Sequence, residues 1–430
     1  MSYVNRIVEH LEDAREEMAE LAVDFANTYS PATRERAIAE RVNEWYRDSG
    51  FESRLVPMTE ERANTVGYLR GSGGGRSLLF NAHLDTEASG PDYDNLMQTP
   101  DVNRRGGWRE GDRLFGHTLL NDRHGHVMMM FAARALREAG VPLKGDLVLT
   151  SVAGETGSAP VDEFEGIGYE GKGFGTKYLV DNGVRANYGL VAETTGFAPV
   201  WYNCGAAYIK VVLRGRAMYT PRLERPTGGV LRDHPNAIVK ASEAVQVIEA
   251  WGQRIQEERT EDVGCGVVSP KSQVGAIRGG IPWRPNRSSP YCALYVDVRI
   301  KPGEDPLTFV ADLSSELSSA GIEAEVTLIM ARAGADGRQQ VGPLLDAVRS
   351  SHELVRGVPL PEQAESPVVS MWRDNNILNN NGIPAMNFGP SRGRAAVQGT
   401  GYMEIDNLVD GTKMYALTAL QLVADLPLNP

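Results

Sequence analysis

The chain has 430 residues, of which 42% are hydrophobic and 23% are charged. Chains longer than about 250–300 residues divide into more than one core, so two domains are expected. The net charge of -12 argues against nucleic acid or an anionic membrane as the main partner, because both need clustered lysine and arginine. The three widely spaced cysteines form no CxxC pair. They predict buried reduced thiols, not disulfides or a thiolate zinc site.

Residues 1–27 have apolar residues at helical spacing with acids between them, which predicts one amphipathic surface helix. The segment lacks the basic start and the uninterrupted apolar stretch of a signal peptide. No later segment is long and apolar enough to span a bilayer. We therefore expect a cytoplasmic protein without a membrane partner.

Between about residues 67 and 195, apolar strands alternate with helical stretches. RSLLFNAHLD, GDLVLTSVAGE and NYGLVAETTG are typical of strands, and HVMMMFAARALREAG of a helix ended by Gly140. This alternation predicts an α/β sheet whose functional residues lie at the carboxyl ends of strands. The glycine-rich, acidic stretch Ser158–Gly175 is too irregular for a core element. It is either a substrate-contacting loop or a solvated insertion.

A smaller unit follows Trp201. AAYIKVVLRGR, KSQVGAIRGG, YCALYVDVRI and AEVTLIM are predicted strands, and with two predicted helices they give the order β-α-β-β-α-β. From about Pro343 the larger pattern resumes, with a helix, a strand at VVSM, a helix, a strand at IPAMNFGP and a last helix. The sequence thus predicts an α/β, mixed-sheet catalytic domain in two parts, residues 1–203 and 331–430. A ferredoxin-like α+β sandwich, residues 204–330, is inserted between them.

An imidazole and four carboxylates follow the predicted strands or precede a helix. His83 and Asp85 lie in NAHLDTE, Asp122 in LLNDRHGH, Glu155 in SVAGETG and Glu193 in LVAETTG. A parallel sheet would bring these groups to one edge, where they suit Zn²⁺ or Mn²⁺. Alone, the HxD pair is a weak signal, and the acids could instead cap helices or face solvent.

These motifs, in this order, resemble the aminoacylase, acetylornithine deacetylase and succinyl-diaminopimelate desuccinylase family, which shares its scaffold with carboxypeptidase G. The order is HLD, then ND with a glycine three residues on, then GETG, then AET. RGRAMYTP with HPNAI resembles the family's lid entry, and GIPAMNFGPSRG resembles part of its C-terminal signature. The resemblance spans nearly the whole chain and implies a metal-dependent hydrolase of C–N bonds.

Family members hold two metal ions that share a bridging aspartate. By this resemblance, His83, Asp122 and Glu193 hold the first ion, and Asp85 stands behind His83. Glu155 corresponds to a glutamate ligand of the second ion.

Three positions depart from the family pattern. The usual Glu-Glu pair reads Gly154-Glu155, so the usual general base is absent. The C-terminal histidine ligand falls near Val397, and no histidine occurs after His352. Where the lid of the family places a histidine that polarises the substrate carbonyl across the dimer, this chain has Tyr219.

These departures predict one divalent ion per subunit, with Mn²⁺ favoured by resemblance and Zn²⁺ as the alternative. Glu155 would then act as the base or position the water. The expected reaction is hydrolytic removal of an aromatic amine, converting 5-nitroanthranilate to 5-nitrosalicylate and ammonia. Hydrolysis of N-acyl amino acids or dipeptides is one alternative, and a non-catalytic small-molecule-binding relative is another.

Four further residues are predicted to contact a substrate that carries a carboxylate. Arg373 lies where the family binds such a group, and a guanidinium suits it through two parallel hydrogen bonds. His124 is a candidate on the loop around Asp122. Tyr219 and Asn286 lie in the lid, where a neighbouring subunit could present them, since lids of this family pair with each other. A homodimer is therefore expected.

Overall fold

The structure is a computed structural model that describes residues 2–86, 106–394 and 401–428. The α-helices within these residues are α1 Tyr3–Asp13, α2 Arg15–Ala26, α3 Arg36–Asp48, α4 His124–Glu138, α5 Phe174–Asp181, α6 Ala237–Arg259, α7 Pro306–Ser319, α8 Gly342–Arg356, α9 Asn375–Asn380 and α10 Ile405–Leu422. The β-strands are β1 Glu52–Pro57, β2 Ala63–Leu69, β3 Leu78–His83, β4 Trp108–Glu110, β5 Arg113–Phe115, β6 Leu147–Val152, β7 Tyr188–Ala192, β8 Tyr202–Asn203, β9 Gly205–Arg214, β10 Glu261–Asp262, β11 Val267–Val268, β12 Ser272–Gly279, β13 Tyr291–Ile300, β14 Glu325–Arg332, β15 Ala335–Asp336, β16 Ala385–Phe388, β17 Gly393–Arg394 and β18 Gly401–Glu404. None of these helices is both long and apolar enough to cross a membrane.

A six-stranded mixed sheet positions the residues that follow its strands. Its order is β1-β2-β6-β3-β7-β16. Strands β6, β3, β7 and β16 are parallel to one another, β2 is antiparallel to β6, and β1 is antiparallel to β2. Both faces are covered, because Phe80 of β3 packs in the core with α4 and α10 while its neighbour Leu79 packs in a core with α5 and α9. Burial on both faces explains why β3 begins with three consecutive apolar residues, Leu78–Phe80.

The inserted unit is a four-stranded antiparallel sheet in the order β12-β13-β9-β14. Helices α6 and α7 cover one face and enclose a hydrophobic core separate from that of the large sheet. Trp251 of α6 is buried there, and its indole N–H donates to Asp312 of α7 at 2.7 Å. The predicted fold class, a mixed-sheet α/β domain with an inserted α+β sandwich, is confirmed. The exact domain boundaries stay a prediction.

Two predicted elements differ in the structure. The single N-terminal helix is divided at Ala14, whose ψ of 1° ends α1 before α2 begins at Arg15. The predicted strand at VVSM is instead a short 3₁₀ helix, Val368–Ser370. The side-chain amide of Asn203 donates to the Val368 and Met371 carbonyls at 3.1 and 3.0 Å. These carbonyls are therefore occupied by a side chain and not by a neighbouring strand.

A fully buried ion pair ties the start of the large domain to the acidic loop, defined here as residues 156–173. Arg62 and Glu35 are both inaccessible to solvent and make two hydrogen bonds of 2.9 and 3.0 Å. The same guanidinium donates to the carbonyls of Ile167, Gly168 and Glu170 at 3.1, 3.3 and 2.6 Å. Burial raises the pKa of Glu35 although Arg62 opposes the shift. Arg62 thus neutralises a buried charge and fixes the loop.

We expect Arg62→Met to lower the free energy of unfolding by about 3–5 kcal/mol, because it leaves Glu35 buried without its partner. Urea unfolding at pH 7 measures this change. Arg70→Met is the matched control, since Arg70 pairs with Glu52 at the surface and the loss should be far smaller. Equal losses in both variants would contradict the assigned role of Arg62.

Candidate active site

The site lies at the carboxyl edge of the parallel strands. His83 ends β3 opposite Val152, the last residue of the neighbouring strand β6. Asp85 follows β3, Glu155 follows β6, and Glu193 follows β7 directly. Because these strands run parallel, all their ends point to one edge. The structure therefore brings together the imidazole and carboxylates that the sequence singled out.

His83 is buried among acceptors. Its Nδ1 lies 3.0 Å from the Asp85 carbonyl and 3.6 Å from the Asp85 carboxylate. Its Nε2 lies 3.2 Å from the Asn121 amide oxygen and 3.9 Å from the Glu155 carboxylate. Burial alone would lower the pKa of His83, but Asp85, Glu155 and Asp122 outweigh burial and raise it well above its usual value. The surroundings of this imidazole are thus strongly negative.

Asp85 is a fixed anion behind His83. It accepts hydrogen bonds from the backbone N–H groups of Glu155 and Thr156 at 3.0 and 2.8 Å, and also from the Thr156 hydroxyl. Burial opposes ionisation, but His83 and these donors lower the pKa of Asp85. Asp85 therefore orients the imidazole and holds the residues after β6 in place.

Asp122 lies in an irregular turn between Leu119 and Arg123, just before α4. Its Oδ2 accepts a hydrogen bond from the His83 backbone at 3.4 Å. A Cβ at Gly125 would lie 2.6 Å from Ala192 and 2.7 Å from the Asp122 carboxylate. The glycine three residues after Asp122 therefore allows close packing of the turn on β7. Burial and the nearby Glu193 raise the pKa of Asp122 well above its usual value.

Glu193 and Glu155 both face Arg373. The Arg373 Nε lies 2.9 Å from Glu193, and its Nη1 lies 3.8 Å from Glu155. Burial raises the pKa of Glu193 although Arg373 opposes the shift. One oxygen of each of Asp122, Glu155 and Glu193 is buried and accepts no well-formed hydrogen bond from the described residues. Buried carboxylate oxygens are costly in this state, so the cluster favours a cation.

A divalent ion fits the donor chemistry of this cluster. One imidazole and several buried carboxylates are typical ligands of Zn²⁺ or Mn²⁺ sites. Within the described ranges, however, no group of three or more His, Cys, Asp or Glu side chains is arranged to hold an ion. The Arg373 guanidinium lies against Glu155 and Glu193 and supplies positive charge there. The ligand types thus suit a divalent ion, and Arg373 supplies part of the positive charge that the carboxylates need.

A cavity of about 660 Å³ opens onto Glu155 and lies between the two domains. Six of its lining residues are cationic, whereas Glu155 is the one carboxylate among the described residues that line it. The cationic residues are Lys172, Lys271, Arg299, Arg373, Arg392 and Arg394. This balance opposes the net charge of -12 of the whole chain. The cavity therefore suits an anionic ligand.

The structure does not bring three of the predicted substrate contacts to this cavity. His124 is buried, its Nδ1 lies 3.2 Å from the Leu119 carbonyl, and His117 lines the cavity in its place. Tyr219 and Asn286 lie together on exposed lid loops, where the Thr220 N–H donates to the Asn286 carbonyl at 3.0 Å. Neither residue lines this cavity in the subunit described.

Several residues at the site were not singled out from the sequence. Asn121 contacts His83, and Lys271 and Arg392 line the cavity. Asp374 is buried, accepts a hydrogen bond from Thr176 at 2.8 Å, and has its pKa raised to about 8 by burial and Glu155. In the sequence, only its position next to Arg373 pointed to a place at the site. The ligand position near Val397 lies outside the described residues.

Comparison with known proteins identifies the family. Residues 79–421 match Peptidase family M20/M25/M40, so the chain belongs to this family. N-formyl-4-amino-5-aminomethyl-2-methylpyrimidine deformylase of Bacillus subtilis is 25% identical over 193 residues, 43% of this chain and 40% of that protein. Carboxypeptidase G2 of Pseudomonas sp. is 27% identical over 188 residues, 42% of this chain and 37% of that protein. The matches thus span about two fifths of these relatives.

Solved structures share the fold over nearly the whole chain. A tripeptidase from Staphylococcus aureus is 17% identical with a TM-score of 0.66, covering 96% of this chain and 99% of that one. The dipeptidase Dug1p from Saccharomyces cerevisiae is 13% identical with a TM-score of 0.66, covering 99% and 100%. At this identity the likeness concerns the fold alone.

The position of His124 predicts an acid-sensitive stability. Burial lowers the pKa of His124 to about 4, against 6.5 for a free imidazole, so this stabilising contribution is present above pH 6.5 and is lost as the pH falls towards 4. We expect His124→Gln to reduce the slope of unfolding free energy between these pH values, by up to about 1.4 kcal/mol per pH unit. Urea unfolding at pH 4.5, 5.5 and 7 measures the slope. An unchanged slope would show that His124 does not stay neutral when buried.

Proposed function

We propose that the chain is a metal-dependent hydrolase that cleaves a C–N bond of a small anionic substrate. The observation that carries this proposal is the convergence of His83, Asp122, Glu155 and Glu193 beside a cavity lined by six cations. Membership of the M20/M25/M40 peptidase family supports it.

The metal site of the proposal holds one divalent ion through His83, Asp122 and Glu193. Mn²⁺ is favoured by the sequence resemblance, with Zn²⁺ as the alternative, because both accept mixed nitrogen and oxygen ligands. When bound, the ion lowers the pKa of a coordinated water and polarises an oxygen of the substrate. The absence of histidine after His352 removes a ligand of the second ion and so supports one ion over two.

In this proposal Glu155 takes a proton from the attacking water. It is the acidic residue that lines the cavity, and one of its oxygens accepts no hydrogen bond from the described residues. Asp85 holds both the His83 ring and the Glu155 backbone, so it positions ligand and base together. Arg373, which contacts Glu155 and Glu193, can bind the carboxylate of the substrate.

The particular reaction that we propose is the conversion of 5-nitroanthranilate and water to 5-nitrosalicylate and ammonia. The water oxygen forms a bond to the ring carbon that carries the amine, and Glu155 accepts the water proton. The nitro group, para to that carbon, takes up the developing negative charge, which nearby cations stabilise. The C–N bond then breaks, and the proton passes to the leaving amine. No polarised carbonyl is needed, which agrees with Tyr219 in place of the lid histidine.

Amide hydrolysis is the second candidate. The deformylase and carboxypeptidase relatives are named for the cleavage of C–N bonds next to a carbonyl. The same Glu155 and metal ligands could activate water for that attack.

We also propose a homodimer formed through the lid. Ile277 on the edge strand β12 and Ile281 and Trp283 on the following loop are 55%, 51% and 78% exposed. Exposed apolar side chains on an edge strand are suited to pairing with a second copy. Tyr219 and Asn286 belong to the same tip of the lid, so a second copy could bring them to a neighbouring cavity.

The experiment that tests the function measures ammonia release from 5-nitroanthranilate by the purified, Mn²⁺-loaded protein. A panel of N-acyl amino acids and dipeptides is assayed in parallel for free amine. Ammonia with nitrosalicylate supports the aminohydrolase, whereas cleavage of the panel alone supports the amide hydrolase. Inactivity on both sets would contradict both candidates and favour a non-catalytic relative.

Glu155→Gln should lower kcat about 10²–10⁴-fold on whichever substrate is turned over, because the amide cannot accept the water proton. Glu165→Gln, an exposed change in the acidic loop that follows Glu155, is the matched control and should leave kcat unchanged. Steady-state kinetics with metal in excess separates this effect from metal loss. Full activity of Glu155→Gln would remove the residue from the mechanism.

His83→Asn should abolish stoichiometric metal binding, whereas the wild-type chain should bind one ion. Removing the imidazole leaves carboxylates alone, which hold Zn²⁺ or Mn²⁺ less tightly at this site. Isothermal titration with Mn²⁺ and elemental analysis after dialysis measure the stoichiometry. His10→Asn, on the exposed face of α1, is the control. Retained binding in His83→Asn would place the metal elsewhere, and two ions in the wild type would contradict the one-ion site.

A further inference from the structure

The acidic loop, residues 156–173, begins at the wall of the proposed active site. The Glu155 and Thr156 amides hold Asp85, and the next residue, Gly157, already contacts the lid. The hydroxyl of Tyr208 on β9 donates to the Gly157 carbonyl at 2.9 Å. Any displacement of this loop therefore acts on the residues beside Glu155.

Asp162 joins the loop to the lid sheet through two side chains. It accepts hydrogen bonds from the Lys210 ammonium on β9 and from the Tyr295 hydroxyl on β13. Lys210 and Tyr295 are directly opposite each other in the register of the two strands. A single carboxylate thus bridges a cross-strand pair on the sheet face opposite α6 and α7.

A neighbouring ion pair extends this contact to the edge strand. Glu163 receives two hydrogen bonds from Arg278 of β12, at 2.5 and 2.6 Å. Three adjacent lid strands, β12, β13 and β9, therefore all bind the same loop. The Lys210 and Tyr295 hydrogen bonds lower the pKa of Asp162 against the effect of burial, so its carboxylate is charged at neutral pH.

The other end of the loop is held mainly by the large domain. Arg62 donates to the carbonyls of Ile167, Gly168 and Glu170, while Arg332, at the end of the lid strand β14, pairs with the Glu170 side chain at 2.9 Å. The Lys172 N–H donates to the Thr156 carbonyl at 3.1 Å and closes the loop on its own start. The loop is thus anchored to both domains while its first residues lie beside Glu155.

We propose that Asp162 is a positioning residue for the base of the proposed reaction, and this inference rests on the proposed function of Glu155. By tying the loop to Lys210 and Tyr295, it fixes Glu155 relative to the lid residues Lys271 and Arg299 on the other side of the cavity. Asp162 neither lines the cavity nor belongs to the proposed metal ligands. Its effect passes through the backbone from residue 162 to residue 155, and displacements of about 1 Å at a reacting group can cost up to about 10²-fold in rate.

The test compares Asp162→Ala, Asp162→Asn and the control Asp181→Ala, which removes a surface pair with Lys177 on α5. Hydrogen–deuterium exchange over residues 153–166 and steady-state kinetics are measured for each. Asp162→Ala should speed exchange there and lower kcat about tenfold, with KM within about twofold of wild type. Asp162→Asn keeps an acceptor for Tyr295 and should recover part of both effects. The control should match wild type.

Lys210→Ala should reproduce the effect of Asp162→Ala, and the double variant should be no worse than either single variant. Unchanged exchange and unchanged kcat in Asp162→Ala would overturn the proposal. A fall in kcat matched by Asp181→Ala, or one without faster local exchange, would overturn it too. The exchange measurement needs no substrate, so failure of the proposed reaction and failure of the loop contact are distinguishable.

Discussion

The compensation of buried negative charge governs the geometry at the edge of the large sheet. Asp85, Asp122, Glu155 and Glu193 are all buried at strand ends or in the turn before α4, where unpaired carboxylates cost several kcal/mol each. Only Asp85 has its charge fully met by nearby donors. The other three retain oxygens that accept no well-formed hydrogen bond from the described part of the chain. Such an arrangement is stable when a cation or a proton is available, and this is the condition that the proposed metal site would meet.

Arg373 meets part of this demand and connects the carboxylate cluster to the cavity. Its guanidinium contacts both Glu155 and Glu193, while five further cationic side chains line the same space. An anion that enters the cavity would compete for Arg373 and weaken its hold on the two glutamates. Binding of an anionic ligand and binding of a divalent ion would then favour each other. The anion would draw Arg373 away from the two glutamates and free them for the ion. The ion would replace Arg373 at the glutamates and free the guanidinium for the anion.

Most of the fold, and the grouping of His83 with four buried carboxylates, could be predicted because they leave patterns within short stretches of sequence. The apolar run of β3 and the glycine three residues after Asp122 leave clear patterns, since burial on both faces and close packing restrict residue type. The 3₁₀ helix at Val368 and the cations that line the cavity leave no such pattern in the sequence. Lys271 and Arg392 are far apart in the chain and come together only through the placement of the lid on the large domain. His124 shows the converse, since a loop histidine beside an aspartate is equally compatible with burial and with substrate contact.

The placement of the lid is therefore as important to the proposed reaction as the cluster of His83 and the carboxylates. The lid cations Lys271 and Arg299 and the proposed base Glu155 face one cavity, yet they stand on two domains with separate hydrophobic cores. Separate cores allow relative motion unless specific contacts oppose it. Single ion pairs near the surface are weak, but the contacts from three adjacent strands to this one loop act together. The loop that begins one residue after Glu155 thus connects these lid contacts, through a few residues of backbone, to the proposed base.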